Sequence, residues 1–219
     1  IRDVSERKRA EEALKAHDEF SQKQSSVFAE LARSEKLYGG ETQAAFAEIT
    51  EAAAKTLNIQ RSSIWYYNEG HTEIRCMDLF EQGKGHSEGI VLGKADFPGY
   101  FKALEEEKVI AADDAHTDPA THEFSAAYLT PLGINSMLDA PIRVRGHVIG
   151  VICNEHVGPF RPWTMEEQNF ARTIVDFITV AVETQERKQT EEFLQQSEAK
   201  LSSALHVAQM GHWEFDVPT

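Results

Sequence analysis

The sequence predicts an α+β domain: a central antiparallel sheet of five to six strands, covered by helices and continued at both ends by long helices. Three observations carry this. Strand-like and helix-like segments interleave, yet successive strands are joined by short turns, which demands antiparallel pairing. A charge-rich segment without Gly or Pro, Glu6-Arg7-Lys8-Arg9-Ala10-Glu11-Glu12-Ala13-Leu14, returns as Glu186-Arg187-Lys188-Gln189-Thr190-Glu191-Glu192-Phe193-Leu194. Between these two helix-forming copies lies a dissimilar stretch whose core of about 150 residues is ample for an independent fold.

The first helix is expected from about Ser5 to Tyr38, where Gly39-Gly40 breaks it. Its seam of Ala10, Leu14, His17, Ser21, Gln24, Phe28 and Leu31 is apolar at both ends and polar between, which suits a helix better than a tight coiled coil. Phe46, Ile49, Ala53 and Leu57 then recur at helical spacing on one face. Ser62 to Tyr67 reads as a strand ending in the turn Asn68-Glu69-Gly70, with His71 to about Leu79 as its partner. The region of Gly83, Gly85 and Gly89 reads as loop, followed by a short strand at Ile90-Val91-Leu92. Pro98 opens a helix through Glu106, and Val109-Ile110-Ala111 is a short buried strand. Asp118-Pro119 starts a helix with Phe124, Tyr128 and Leu129 on its apolar face, closed by Pro131 and Gly133. Ile134 to Val144 and His147 to Val157 form a hairpin turning at Arg145-Gly146. The last helix starts at Thr164, with Glu166 and Glu167 at the positive end of its dipole and Phe170, Ile174, Phe177 and Ala181 as its buried stripe.

A formal net charge of −14, from 36 acidic and 22 basic side chains, repels nucleic acid and anionic lipid, so neither is expected as a partner. No apolar run approaches the roughly 18 residues that cross a bilayer, so no membrane contact is expected of this stretch. The only cysteines, Cys76 and Cys153, have no metal-ligand spacing, and a reducing, cytoplasmic compartment is the simpler expectation. The chain opens on Ile1 and stops at Thr219 just after an apolar stretch, which reads as a piece of a longer protein.

The segment Leu132-Gly133-Ile134-Asn135-Ser136-Met137-Leu138-Asp139-Ala140-Pro141-Ile142, followed by Gly146 to Ile152 and by Trp163-Thr164-Met165-Glu166-Glu167-Gln168-Asn169-Phe170-Ala171, resembles the closing hairpin and final helix of a GAF domain. Arg2 to Lys8 is similar to the exit of a PAS domain, and Ala208 to Asp216 to the beginning of another. The division expected from this is 1–40 as PAS exit and linker helix, 41–183 as GAF domain, 184–207 as second linker helix and 208–219 as the truncated start of a following PAS domain. The resemblance implies a non-catalytic sensor that binds a small ligand between sheet and covering loops, dimerises through its terminal helices and relays its state through them. The parent would be a PAS–GAF–PAS protein such as a sensor histidine kinase or a diguanylate cyclase, with output domains adjacent.

For that ligand, Trp65, Tyr66, Tyr100 and Tyr128 are candidate pocket aromatics, and core packing is the competing reading. The polar loop from Asp113 to Glu123 offers His116, Asp118 and His122, but histidines six apart do not share a helix face and no metal site is expected. The alternative there is a structural loop in which Asp118 caps a helix. Asn154 and His156, alternating with Cys153 and Glu155 at the end of the last strand, are the remaining candidates. No cofactor is specified: Met77 follows Cys76 and Asn154 follows Cys153, where bilin-binding relatives have histidine. No phosphate-binding loop, GxSxG or phosphoacceptor histidine box occurs. Two other readings stand beside the sensor. One is a ligand-free dimerisation spacer; the other is a methionine sulfoxide reductase-like enzyme working through its cysteines. Beyond Ala181, Leu194, Leu201 and Ala208 keep a seven-residue spacing out of phase with the buried stripe, so either the supercoil changes there or the helix bends near Thr184. A parallel homodimer is expected.

Overall fold

Leu31 and Leu37 are both buried in one core, yet six residues place them about 240° apart around an α-helix. One straight helix cannot deliver both. The computed structural model, which describes residues 2–210, ends α1 (Arg2–Leu31) there and restarts as α2 (Glu35–Tyr38). The single helix expected up to Tyr38 is thus corrected: Ser34 takes an extended backbone, ψ 119°, and its hydroxyl donates to Glu48 at 2.7 Å. After Gly39-Gly40, α3 (Thr42–Leu57) buries Phe46, Ile49, Ala53 and Leu57, the face its spacing predicts.

The strands are β1 (Arg61–Tyr67), β2 (Glu73–Glu81), β3 (Gly85–Ser87), β4 (Val91–Gly93), β5 (Ile110–Ala112), β6 (Ile134–Val144) and β7 (His147–Val157), with α4 (Pro98–Glu106) between β4 and β5. They form one sheet in the order β3-β2-β1-β7-β6-β5, with β4 also paired to β2, and every described pairing is antiparallel. The seventh strand is β3, which arises inside the glycine-rich region expected as loop. The long hairpin β6–β7 turns at Arg145 and Gly146, whose φ values of 51° and 85° are the paired positive angles of a type I′ turn.

Alternation sorts the strand residues onto two covered faces. Ile64, Leu138, Ala140, Ile142 and Ile152 point toward α3 and α6. Trp65, Cys76, Met137, Val151 and Cys153 point the other way, beneath α4 and the segment 113–132. A bulge between Ile64 and Trp65 leaves Met77 as the extra residue of β2 and keeps both strands in phase beyond it. The covering segment is not the single helix expected from Asp118. It is a run of turns, then a 3₁₀ turn (His122–Phe124), a π-helical turn (Ser125–Leu129) and α5 (Thr130–Leu132). Asp118 accepts from the Ala120 amide in a local turn instead of capping a helix, and Pro131 lies inside α5 instead of ending it.

The final helix, α6 (Met165–Met210), starts on a reciprocal capping box: the Glu167 amide donates to Thr164 Oγ1 at 3.2 Å, and the Thr164 amide to Glu167 Oε2 at 3.0 Å. It runs without interruption past Thr184. Phe170, Ile174, Ile178 and Ala181 are buried, whereas Phe177 lies to one side and stacks on Phe28 of α1 at 5.8 Å. Phe28 also stacks on Phe170 at 5.4 Å, so α1 closes over the beginning of α6. Beyond the domain, Phe193, Leu194, Leu201 and Leu205 are exposed. The sequence expected to begin a second PAS domain falls largely on residues 211–219, outside those described. Among the described residues, no helix is long and apolar enough to cross a membrane.

Phe170 is fully buried between the sheet and α1, so Phe170→Ala is expected to cost about 3–5 kcal/mol. Thr164→Ala, which removes half of the capping box, should cost about 1 kcal/mol. Urea unfolding followed by circular dichroism checks both.

Candidate functional site

The face of the sheet beneath α4 and the cover carries charge inside the core. Arg61, at the start of β1, stands in register with Glu81 of β2 on one side and Glu155 of β7 on the other. With 4% exposure, its guanidinium donates from Nε to Glu155 at 2.6 Å, from Nη1 to Glu81 at 2.9 Å and from Nη2 to the Tyr128 hydroxyl at 3.2 Å. Burial, the largest single influence, works against this charge, but Glu155 and Tyr128 together outweigh it and hold Arg61 protonated more firmly than an ordinary arginine. Tyr128 belongs to the π-helical turn, so this one cation ties the cover to three strands.

Toward β6 on the same face lies Asp139, with no exposure at all. Its Oδ2 accepts from the Tyr100 hydroxyl of α4 at 2.7 Å, and that hydroxyl also lies 3.3 Å from Cys153 Sγ. Asp139 Oδ1 is buried without a partner. Burial pushes this carboxyl up to about 7; the Tyr100 hydrogen bond opposes the shift and the charge of Glu155 adds to it. The Cys153 thiol is pushed well above its ordinary value, by burial first and by Asp139 second, and burial pushes the Cys76 thiol up to about 12. Trp65 completes the floor, its indole donating to Ser63 Oγ at 2.7 Å. Glu123 reaches from the cover to accept the Gly99 amide at 2.9 Å, where α4 begins after Pro98.

Of the nine sequence candidates, Trp65, Tyr100 and Tyr128 meet on this face. Tyr66 does not: as the neighbour of Trp65 on a strand it faces α3, its ring 5.5 Å from Phe46. Asn154 is likewise on the helix side, accepting from Ser62 Oγ and donating to the Leu138 carbonyl, both at 2.9 Å. His156 follows the same alternation and is half-buried, its basicity lowered by burial and by Arg161. His116 fastens the cover, with Nδ1 2.7 Å from Ser125 Oγ and Nε2 3.0 Å from the Ile134 carbonyl. Asp118 makes its local turn, and His122 stays outside with Nδ1 3.2 Å from the Asp118 and Pro119 carbonyls. Asp113 holds the Trp163 amide at 2.9 Å. Among the described residues, no group of three or more His, Cys, Asp or Glu converges to hold a metal. Sequence reasoning missed Arg61, Asp139 and Glu155 as site residues; a lone charge within an apolar strand was the available signal.

A cleft of about 750 Å³ opens elsewhere, where Phe20 and Lys23 of α1 meet Leu57 at the end of α3 and Arg161 and Glu167 before and within the first turn of α6. It holds none of the nine candidates.

The architecture of a two-faced sheet, with helices on one side and a polar-floored cover on the other, agrees with the comparisons. A model of the GAF domain family matches residues 41–182. The chain belongs to the GAF domain family. Solved structures, GAF domains among them, share its fold at low identity. The GAF domain of a Coxiella burnetii phosphoenolpyruvate-protein phosphotransferase is 17% identical with a TM-score of 0.60, over 78% of this chain and 96% of that one. The phycoerythrobilin-bound GAF domain of a cyanobacterial phytochrome is 19% identical with a TM-score of 0.62, over 76% and 97%. A methyl-accepting chemotaxis protein, residues 122 to 287, is 18% identical with a TM-score of 0.58, over 71% and 94%. No curated protein matches the chain. GAF domains are generally regulatory, and the neighbours of this one include sensory proteins.

Asp139 binds its proton more tightly folded than unfolded, so its contribution to stability is present at low pH and is lost as pH rises from about 4 through about 7. Asp139→Asn, which keeps the shape and removes the charge, should flatten the fall in stability between pH 5 and 8 and exceed the wild type at pH 8 by on the order of 2–4 kcal/mol. Urea unfolding across that pH range checks this.

Proposed function

We propose that this GAF domain is the sensory module of a signalling protein, taking a small ligand between the sheet and its cover and relaying the ligand's state through the terminal helices. The observation that supports this most is Asp139: a carboxyl with no exposure and one unpartnered oxygen is costly in a core unless it has a use. A domain serving only as packing would gain by filling that position with an apolar side chain. The matching ligand is a compact molecule with an N–H or O–H donor for Asp139, held under Tyr100, Trp65 and Tyr128. It binds without a covalent bond, because both thiols are buried and held protonated. The same protonation disfavours methionine sulfoxide reductase-like chemistry, and the domain is read as non-catalytic. The cover is suited to opening, since short 3₁₀ and π turns form it and a few side-chain bonds fasten it.

Phe193, Leu194, Leu201 and Leu205, exposed along α6, support a parallel homodimer through the terminal helices. In this reading the domain sits in the cytoplasm between PAS domains of a parent such as a sensor histidine kinase of a two-component system or a diguanylate cyclase. The spacer reading has one observation in its favour: Phe124 packs against Tyr100 at 4.8 Å and against Phe97 at 4.2 Å, so aromatic rings already fill the space under the cover.

Native mass spectrometry of the full chain is expected to give a dimer carrying a small molecule that Asp139→Asn loses while remaining folded. A dimer without added mass in both proteins favours the spacer, and a monomer at micromolar concentration rejects the dimer.

A further inference from the structure

The incoming and outgoing helical segments touch at two places on α6. The first is near its start, where Phe20 and Phe28 of α1 surround Phe170. The second lies about 27 Å further along, where α6 leaves the domain. There Lys188 Nζ donates to the Gly39 carbonyl at 3.1 Å. Gly40, at φ +74°, fits so closely that a Cβ on it would stand 2.8 Å from Lys188 Cδ and 3.2 Å from Gln185 Oε1. A side chain at Gly40 would therefore both strain the turn and push α6 away. Gln185 and Lys188 flank Glu186 and Arg187, so the turn grips the beginning of the repeated linker motif itself.

This joint is closed but imperfectly satisfied. Gln185 Oε1, Thr42 Oγ1 and the Tyr66 hydroxyl are all buried without a hydrogen-bond partner. Thr42 opens α3 two residues after Gly40, and Tyr66 packs on Phe46 one turn further along that helix. Burial first, and the negative charge of Glu186 second, hold the Tyr66 hydroxyl protonated. Buried polar atoms without partners lower the stability of the closed arrangement relative to an open one in which water reaches them. The contact is thus specific in shape and cheap to open.

We propose that the Gly39-Gly40 turn is a latch by which the incoming helical segment sets the pose of α6 as it leaves the domain. An upstream displacement of α1 and α2 then reaches the outgoing linker through this turn, without passing through the ligand face of the sheet. The latch operates whether or not a ligand binds under the cover.

Hydrogen–deuterium exchange of the full chain tests this at the amides of residues 184–195. Lys188→Ala keeps a good helix former on an exposed position, so it should leave the fold intact while speeding exchange there about fivefold. Gly40→Val should speed it at least as much. Tyr66→Phe removes one unpartnered hydroxyl and should slow it, a direction that general destabilisation would not give. Lys200→Ala, beyond the contact, should leave residues 184–195 unchanged. Unchanged exchange in both Lys188→Ala and Gly40→Val overturns the latch, and so does faster exchange in Tyr66→Phe.

Discussion

Arg61 enters the sheet at the first position of β1 and there meets Glu81 of β2, Glu155 of β7 and Tyr128 of the cover, the guanidinium and the Glu155 carboxylate being buried from bulk water. A guanidinium in that position has no neutral state to retreat to, so its partners must be in place whenever the core is closed. The geometry follows from strand register: antiparallel pairing sets both glutamates opposite the same residue, and the fork of the guanidinium bonds to each while a third nitrogen reaches upward. Losing Glu155 would take away the most buried of these partners and leave the guanidinium short of an acceptor. The cover is therefore tied to a cation that the sheet positions, and His116, Glu123 and the buried Phe124 and Leu129 fasten it as well.

The two faces of the sheet serve different ends. Toward α3 and α6 the side chains are largely aliphatic and aromatic; Ser62 is matched with Asn154, and Thr50 and His86 with Asp78, while the Tyr66 hydroxyl is left unmatched. Toward the cover, Asp139 keeps one oxygen unmatched and lies beside the Tyr100 hydroxyl and the Cys153 thiol. The first face is held chiefly by apolar packing. The second holds a polar floor whose protonation depends on how dry it is, so anything that admits water or a donor changes its charge.

The hairpin from Ile134 to Val157 was legible to the residue, because its apolar run, its Arg-Gly turn and its length leave no helical alternative. The helix from Pro98 was legible for a similar reason: proline fixes its first turn. The break after Leu31 was not, since no Gly or Pro marks it; it exists because the tertiary core needs Leu31 and Leu37 together. The cover escaped because Asp118-Pro119 looks like a helix start while its carboxylate is taken by a turn. Among the site residues, naming Trp65 together with Tyr66 ignored that neighbours on a strand face opposite ways. Arg61, Asp139 and Glu155 were passed over because a charged residue in a strand ordinarily marks an edge, whereas here the charges lie in a sheet covered on both sides.

The uninterrupted course of α6 past Thr184 makes the outgoing helix a lever. From residue 183 to Met210 it extends for about 40 Å at 1.5 Å per residue, so a tilt of about 5° at its base moves its far end by about 3–4 Å. A displacement smaller than one side chain, made where the helix leaves the core, becomes at the helix's far end a shift of most of a helical turn.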